Sequence, residues 1–231
     1  MTAFPCDLHV HSCLSPCAED DMTPCNIAGM AYLNGLAMVA LTDHNSTRNC
    51  PAFFRACEEY GITPVAGMEL TTSEDIHLLC VMPDLETAER FESVVAPRRM
   101  RIPNRPDIYG MQQVMGAEDV PIDTEPYFLP AAADIALEEA VGIVSELGGV
   151  CWPAHIDREA NGILAILGAF PDEPEFKACE LHDAKNAELA EGRYCLVSSD
   201  AHRLWEIADG SFSVELPECS AKALIERIKE L

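Results

Sequence analysis

Short apolar runs, typical of buried strands, alternate along this chain with segments whose apolar residues recur at helical spacing. The first run covers residues 4–10. A helix is expected at residues 23–34, with Thr23 as its N-cap and Pro24 in its first turn. Such alternation is typical of parallel strands joined by right-handed helical crossovers. The predicted fold is therefore α/β, and 231 residues are enough for a single β/α barrel.

The same alternation continues to the end of the chain with one interruption. Further strands are expected at residues 38–42, 63–70, 76–82, 149–154, 176–181, 194–199 and 212–216. Further helices are expected at residues 51–60, 85–95, 131–147, 162–167, 184–190 and 220–231. Residues 96–130 are rich in proline and arginine, which indicates an insertion or lid with a short helix near residues 108–115. Because we find neither a repeat nor a linker, we predict one domain over residues 1–231.

The overall charge is strongly negative, with 39 acidic against 15 basic residues and a net charge of −24. Because a nucleic-acid backbone requires a basic surface, the composition argues against binding of duplex nucleic acid. A small phosphorylated substrate, such as a nucleotide, stays compatible, since bound divalent cations reverse the local field. No signal peptide or membrane-spanning apolar run is recognised, so a cytoplasmic protein without membrane contact is expected.

Six of the seven histidines lie at the ends of predicted strands or just beyond them. In a parallel barrel the carboxyl ends of all strands open on one face, so residues far apart in the chain converge there. An acidic residue, Glu69, lies at a strand end in the same way. The six histidines are His9, His11, His44, His77, His155 and His202.

The spacing of these residues points to metal binding. His9 and His11 are two positions apart, so in a strand their side chains point to the same side and can reach one ion. Asp200 and His202 repeat the spacing near the other end of the chain. Histidine nitrogen combined with carboxylate oxygen suits zinc, manganese or iron better than magnesium or calcium. Glu69 is a plausible bridge, because one carboxylate can give an oxygen to each of two ions.

At these positions the sequence resembles the PHP (polymerase and histidinol phosphatase) family. The matching features are D-L-H-x-H-S at residues 7–12, T-D-H-N at 42–45, Glu69, and S-D-A-H at 199–202, in the order that the family has them. The resemblance implies a distorted TIM-like (β/α)7 barrel whose site holds two or three divalent metal ions. It also implies a metal-dependent phosphoesterase.

The resemblance implies three ligand sets. His9, His11, Glu69 and Asp200 correspond to the ligands of the first ion. Glu69, His77 and His155 correspond to those of a second ion, and His44 and His202 to those of a third. The third ion needs another ligand from the loop at residues 15–24, where the sequence SPCAEDDMTP departs from the common family form. The candidates are Cys17, Glu19, Asp20 and Asp21, of which Cys17 and Glu19 are favoured by spacing. A thiolate there would favour zinc or iron.

The expected reaction is hydrolysis of a small phosphate ester by a hydroxide held between the first two ions. Asp43 and His202 are the two candidates for the acid that protonates the leaving group. Arg158 and Arg203 lie close to predicted ligands and are candidates for binding the substrate phosphate.

Three other functions compete with this prediction. The same metal cluster could cleave an amide at a carbon centre, or the chain could be a non-catalytic, metal-stabilised PHP module. An iron–sulfur protein is disfavoured, because the early cysteines lack a C-x-x-C spacing and the cysteines elsewhere sit in apolar contexts typical of core residues.

Overall fold

The computed structural model describes all residues 1–231, which form ten β-strands and seven α-helices. The strands are β1 (Thr2–Val10), β2 (Met38–Leu41), β3 (Thr63–Thr71), β4 (His77–Val81), β5 (Gln113–Met115), β6 (Pro121–Thr124), β7 (Val150–Pro153), β8 (Ala178–Leu181), β9 (Tyr194–Val197) and β10 (Ser213–Leu216). The helices are α1 (Pro24–Leu33), α2 (Cys50–Tyr60), α3 (Leu85–Val95), α4 (Pro106–Tyr109), α5 (Leu137–Glu146), α6 (Ile163–Leu167) and α7 (Ala221–Lys229). Short 3₁₀ turns replace the helix expected at residues 184–190.

The main sheet has six strands in the order β10-β1-β2-β3-β4-β7. Strands β1, β2 and β3 are parallel, as expected, whereas β4 and β10 pair antiparallel with their neighbours. The prediction of parallel pairing throughout is therefore wrong. Only residues 72–76 separate β3 from β4, which is too short for a helical crossover, so the two strands form a hairpin. Asp75 in that turn has a left-handed φ of 68°.

A separate parallel pair, β8 and β9, lies between β7 and the carboxyl end of β1. On one side the Ile156 amide, just past β7, donates to the Glu180 carbonyl at 2.9 Å. On the other side the His11 amide, just past β1, donates to the Ala201 carbonyl at 3.0 Å. The α/β sheet thus curls into a half-barrel, and its antiparallel strands depart from a regular series of seven β/α units.

Alternate residues of each strand face two apolar layers. One layer lies inside the curled sheet and contains Leu8, Trp152 and Leu224, the last contributed by α7. The larger layer packs the outer face of the sheet against the helices, with Phe53 from α2 and Phe91 from α3. Burial of these side chains favours folding at roughly 25 cal/mol for each Å² of apolar surface removed from water.

Helices α1, α2 and α3 match their predicted positions, but α5 begins at Leu137 instead of near residue 131. The preceding residues run along the β3–β4 hairpin, where the Ala133 amide donates to the Thr71 carbonyl at 2.9 Å. Both carboxylate oxygens of Glu74 accept from the Leu137 amide, at 3.1 and 3.0 Å. This contact fixes the start of the helix, since it satisfies an amide that has no partner within the helix.

The insertion at residues 96–130 is an ordered structure that lies against the barrel. It contains α4 and the β5–β6 hairpin, so the single helix expected near residues 108–115 is only partly present. The largely buried Arg99 donates to the Asn45 carbonyl at 2.7 Å and forms an ion pair with Glu92. Arg48 pairs with Asp123 of β6. These contacts attach the insertion to the loop that follows β2.

None of the helices is long and apolar enough to cross a lipid bilayer. A cytoplasmic location stays a prediction from the sequence.

Candidate metal centre

The predicted ligands meet at one end of the curled sheet. His9 lies near the end of β1, Glu69 near the end of β3, and Asp200 follows β9. His77, by contrast, is the first residue of β4. Because β4 runs antiparallel to β3, its beginning lies where β3 ends, and His77 pairs in register with Thr71. The antiparallel strand therefore brings His77 to the same mouth as the carboxyl ends of the parallel strands.

The first group contains His9, His11, Glu69 and Asp200, all buried. The Nε2 atoms of His9 and His11 are 3.0 Å apart, and each is 3.2 Å from Asp200 Oδ1. His9 Nε2 lies 3.4 Å from Glu69 Oε1, and His11 Nε2 lies 3.3 Å from Glu69 Oε2. Five potential ligand atoms from four residues thus surround one point, at separations that match neighbouring ligands of a single metal ion.

Hydrogen bonds on the far side of each ring determine where the ring protons are. His9 Nδ1 contacts Glu180 Oε1 at 2.9 Å, and a carboxylate can only accept. His11 Nδ1 contacts Ser15 Oγ at 2.9 Å, while the Ser15 hydroxyl donates its proton to Asp43 Oδ1 at 2.7 Å. Both rings therefore donate from Nδ1, and in the neutral form their Nε2 lone pairs face each other. A cation between them resolves this arrangement.

The electrostatic field in this group is strongly negative. Burial disfavours a charged His11, but Asp200 and Glu69 outweigh burial and raise its pKa to about 9. Burial likewise opposes protonation of His9, whose pKa is nevertheless raised well above its usual value by Glu180, Asp200 and Glu69. A field that favours protons at these nitrogens also favours a metal cation, which would compete with those protons for the same lone pairs.

A second group shares Glu69 with the first. Glu69 Oε1 lies 2.7 Å from His77 Nδ1 and 3.1 Å from His155 Nε2, and these two nitrogens are 3.2 Å apart. The other oxygen, Oε2, lies 2.9 Å from His44 Nδ1. Glu69 is thus at the centre of the cluster, with its two oxygens directed toward different sets of histidines.

A third group is formed by His11, His44 and His202, whose ligand atoms lie within 4.8 Å of one another. His202 Nδ1 donates to the Asp200 carbonyl at 2.8 Å, which leaves Nε2 for a ligand. Burial and the neighbouring His11 lower the pKa of His202 to about 4. The neutral ring has a free lone pair at neutral pH, as a metal ligand requires.

Several buried polar atoms in the cluster have no hydrogen-bond partner, although polar groups at this depth normally have one. His44 Nδ1 and Glu69 Oε2 are 2.9 Å apart, yet neither makes a hydrogen bond, and Asp200 Oδ1 also lacks one. Metal coordination would satisfy all three atoms. The cluster therefore fits divalent metal ions by its donor types and by its unpartnered atoms.

In the loop after His11, the structure brings Cys17 to the cluster and leaves Glu19 outside it. Cys17 is exposed and lines the cleft above His44 and His202. Glu19 accepts a hydrogen bond from Arg203 Nε at 2.9 Å on the surface. The choice of Glu19 as a metal ligand does not fit this arrangement, because its carboxylate is turned toward that guanidinium.

The structure also revises two other expected roles. Asp43 is buried behind His11, where it accepts hydrogen bonds from the Ser12 amide at 2.7 Å, the Ser12 hydroxyl at 2.6 Å and the Ser15 hydroxyl. It does not line the cleft, so it is unsuited to protonate a leaving group. Arg203 is half exposed and pairs with Glu19 and with a second carboxylate, Glu206, which leaves it less free for a phosphate.

Arg158 lies at the mouth of the cluster, as expected. It forms an ion pair with Asp200 Oδ2, the oxygen that faces away from His9 and His11, and its Nη2 is 3.1 Å from His182 Nδ1. About a third of its side chain is exposed, so part of the guanidinium faces the cleft.

Glu180 is a functional candidate that the sequence analysis missed. It lies in the apolar strand β8, is 1% exposed, and accepts from the His155 amide at 3.1 Å as well as contacting His9. In the sequence, Glu180 could have been recognised as a lone acidic residue inside a short apolar strand. Ser15 has a similar role for His11, because its hydroxyl contacts the His11 ring at Nδ1.

The cleft above the cluster extends in two directions from Cys17. One arm is lined mainly by apolar residues of the insertion, and we call it the apolar arm. The other, the polar arm, is lined by residues of the loops after β7, β8 and β9. The apolar arm includes Pro16, Ile108, Tyr109, Phe128 and Pro130. The polar arm includes Arg158, His182, Ser199, Arg203 and Glu206.

One curated protein is similar to a short segment of this chain. An error-prone DNA polymerase from Symbiobacterium thermophilum is 38% identical over 71 residues. That segment is 31% of this chain, and the match spans only 6% of the polymerase.

Three solved structures share the fold over nearly all of this chain. Endonuclease Q from Pyrococcus furiosus, a lesion-specific endonuclease, has a TM-score of 0.68 at 18% identity and covers 100% of this chain, which spans 56% of that protein. Endonuclease Q in complex with a 27-mer duplex that carries an abasic lesion has a TM-score of 0.66 at 17% identity. It covers 100% of this chain, which spans 57% of that protein. A putative metal-dependent phosphoesterase from Bifidobacterium adolescentis has a TM-score of 0.60 at 19% identity. It covers 96% of this chain, which spans 94% of that protein.

The duplex-bound relative corrects one expectation from the sequence. A net charge of −24 predicts no binding of duplex nucleic acid, yet a protein of this fold binds duplex DNA at its active site. Net charge describes the whole surface, whereas binding depends on the field at the mouth of the site, where metal ions and arginine change the local sign. The exclusion of duplex nucleic acid is therefore wrong.

The PHP domain family matches residues 7–165, a range that starts at the first sequence motif and includes five of the six clustered histidines. Because this match covers more than half of the sequence and includes most of the histidine cluster, the chain belongs to the PHP domain family.

Proposed function

We propose that this protein is a metal-dependent hydrolase of phosphate esters. The observation that carries the proposal is the convergence of the His9 and His11 lone pairs on the carboxylates of Glu69 and Asp200. Such a group is costly to bury without a cation.

The residues present would hold two or three divalent ions of zinc, manganese or iron. His9, His11, Glu69 and Asp200 would hold the first, and Glu69 with His77 and His155 the second. His44, His202 and Cys17 would hold the third. When bound, such ions supply a hydroxide nucleophile near neutral pH and neutralise charge on phosphoryl oxygens.

The chain's own residues would orient the site and the substrate. Glu180 and Ser15 hold the rings of His9 and His11 with Nε2 directed at the cluster. Arg158, beside Asp200 at the mouth, would donate to a phosphate oxygen from the part of its guanidinium that faces the cleft and help to position the phosphorus atom. We assign His202 to metal binding only, because both ring nitrogens are then in use.

We propose a small phosphate ester as the substrate. The cleft adjoins the cluster directly, and the two arms give it room for a phosphate and one further group. A phosphodiester in DNA is the second candidate, which the duplex complex of endonuclease Q supports. Cleavage at a carbon centre is the competing chemistry for the same cluster.

A substrate panel tests these functions. The chain loaded with manganese would be assayed with phosphomonoesters, cyclic nucleotides, duplex DNA with and without an abasic site, and simple amides. We expect phosphate release from a small monoester and loss of that activity on chelation. Cleavage of the abasic duplex alone would favour the nuclease, turnover of amides alone would favour the carbon centre, and inactivity on every ester would refute the proposal.

A cobalt experiment tests Cys17 as a ligand of the third ion. Cobalt bound to a thiolate has an intense charge-transfer absorption in the near ultraviolet, which imidazole and carboxylate ligands lack. We expect this band in the cobalt-loaded wild type and its loss in Cys17→Ser. Cys25→Ser is the matched control, since Cys25 lies at the start of α1 outside the cluster. A band that persists in Cys17→Ser would exclude the thiolate.

A further inference from the structure

The apolar arm of the cleft differs in chemistry from the rest of the mouth. Its walls are Ile108, Tyr109, Phe128 and Pro130 from the insertion, and its inner end is formed by His44 and His77 of the cluster. No aspartate, glutamate, lysine or arginine lines it. The polar arm, in contrast, carries two arginines, an aspartate and a glutamate, so charged hydrogen-bond donors are available there. A phosphate is therefore suited to the polar arm, and the apolar arm to an uncharged part of a ligand.

Two aromatic rings form the wall of the apolar arm. The rings of Tyr109 and Phe128 have centroids 4.5 Å apart and planes tilted by 41°. Tyr109 is 45% exposed, although it packs against Phe128, and it lines the arm whose inner end is formed by His44 and His77. Exposed aromatic surface inside a cleft is suited to stacking with a planar group.

This wall is held in place from three sides. Gly110, with a left-handed φ of 94°, lies so close to Pro16 that a Cβ at Gly110 would be 2.8 Å from the Pro16 carbonyl oxygen. The Gly110 carbonyl accepts from Asn104 Nδ2 at 3.0 Å. The side chain of Gln112 donates to the carbonyls of Glu125 and Tyr127 at 2.8 and 2.7 Å. The wall is thus preformed, so a ligand does not have to order it.

We propose that the apolar arm binds a planar, uncharged aromatic ring carried by the substrate, which stacks on Tyr109. This inference rests on the proposed function, because it names the group attached to the phosphate. Apart from Asn161, Cys17 and the two cluster histidines, the lining offers a polyol only the Tyr109 hydroxyl, whereas an aromatic ring is matched by the apolar walls. The metal cluster at the inner end then lies beside the ester that joins the ring-bearing group to its phosphate.

The binding of a ring can be tested without turnover or metal. The probes are adenosine, which has a planar ring and no phosphate, and ribose, which lacks the ring. Saturation-transfer NMR with the full chain should show transfer to the adenosine ring protons and none to ribose. Transfer should persist in Tyr109→Phe, which keeps the ring, and disappear in Tyr109→Ala.

Tyr32→Ala is the matched control, because Tyr32 is an exposed tyrosine that packs on another aromatic ring, Tyr60, at 5.6 Å on helices α1 and α2. It should leave the transfer unchanged. Thermal unfolding of each variant would verify that the fold is retained. Absence of transfer to adenosine in the wild type, or equal transfer in Tyr109→Ala, would overturn the inference.

Kinetics separate this inference from the proposed function. Adenosine monophosphate and ribose 5-phosphate share the sugar and the phosphate and differ in the ring. We expect the ratio of their kcat/KM values to fall roughly tenfold in Tyr109→Ala. If no ester is hydrolysed but adenosine still contacts Tyr109, the hydrolase proposal fails and the ring site stands. If both esters react equally and Tyr109→Ala changes neither value, the ring site fails and the hydrolase stands.

Discussion

Leu8 and His9 are adjacent on β1 and both are completely buried, yet they belong to regions of opposite character. Leu8 points into the apolar layer that α7 closes, with Trp152 among its members. His9 points into the cluster at the mouth, where lone pairs and carboxylates face each other. Burial stabilises the first region because it removes apolar surface from water. It costs free energy in the second, because polar atoms lose water without gaining a partner. The apolar interior thus stabilises the fold, whereas the cluster at the mouth needs a cation to offset the cost of its burial.

The largest effect expected from this contrast is on activity. His9→Ala removes a ligand of the first ion, so hydrolysis should fall below roughly a thousandth of the wild-type rate. The apolar interior is untouched, and the circular dichroism spectrum should be retained. Metal content measured by plasma emission should fall in the same variant. His182→Ala, an exposed histidine outside the cluster, should keep its metal. Full metal content and full activity in His9→Ala would contradict the assignment of His9 to metal binding.

The neighbouring substitution should have the reverse effect. Leu8→Ala leaves a cavity in the apolar interior and should lower the free energy of unfolding by about 2–5 kcal/mol, measured by urea denaturation. The folded fraction should still bind metal, because the ligands remain. Strong loss of metal affinity per folded molecule would show that the two regions are not independent.

The metal-free protein should lose stability as the pH rises from about 6.5 toward 9. Despite burial, Asp200 and Glu69 raise the pKa of His11 to about 9, and Glu69 raises the pKa of His44 to about 9. A raised folded-state pKa contributes stability below the unfolded value, 6.5, and this contribution is lost as pH approaches 9. It is on the order of 3 kcal/mol for each ring.

Thermal unfolding in the presence of a chelator, followed across this pH range, would measure the decline. The metal-loaded protein should not show it, because coordinated rings carry no proton at the bound nitrogen. A metal-free protein whose stability rises over this pH range would contradict the negative electrostatic field inferred for the cluster.

The smallest effect is expected at Glu180, which contacts the ring of His9 and not the cluster centre. Glu180→Gln still accepts from His9 Nδ1 but removes a negative charge, so metal affinity should fall roughly tenfold. Calorimetric titration with zinc would measure the change. Glu188→Gln, an exposed glutamate of the loop after β8, is the control and should have wild-type affinity. Equal affinities in the two variants would show that Glu180 has only a structural role.

The ligand candidates could be predicted because a strand-end position and a residue type are both local properties. His9, His11 and Glu69 follow from the periodicity of buried strands and the chemistry of their side chains. A strand-end position alone does not account for His77, since it begins its strand. In an all-parallel barrel it would have been at the wrong end, and the antiparallel β4 is what places it at the mouth.

Hydrophobic periodicity and side-chain chemistry are encoded locally, so the α/β class, the positions of most strands and helices, and the candidate metal ligands could be predicted from the sequence alone. The direction of β4 and β10, the positions of Cys17 in the cleft and of Glu19 beside Arg203, and the contact of Glu180 with His9 depend on the tertiary structure. Strand direction depends on loop length and on which partner edge is free. The contacts of a side chain depend on elements that are far apart in the chain, such as Arg203, which pairs with Glu19.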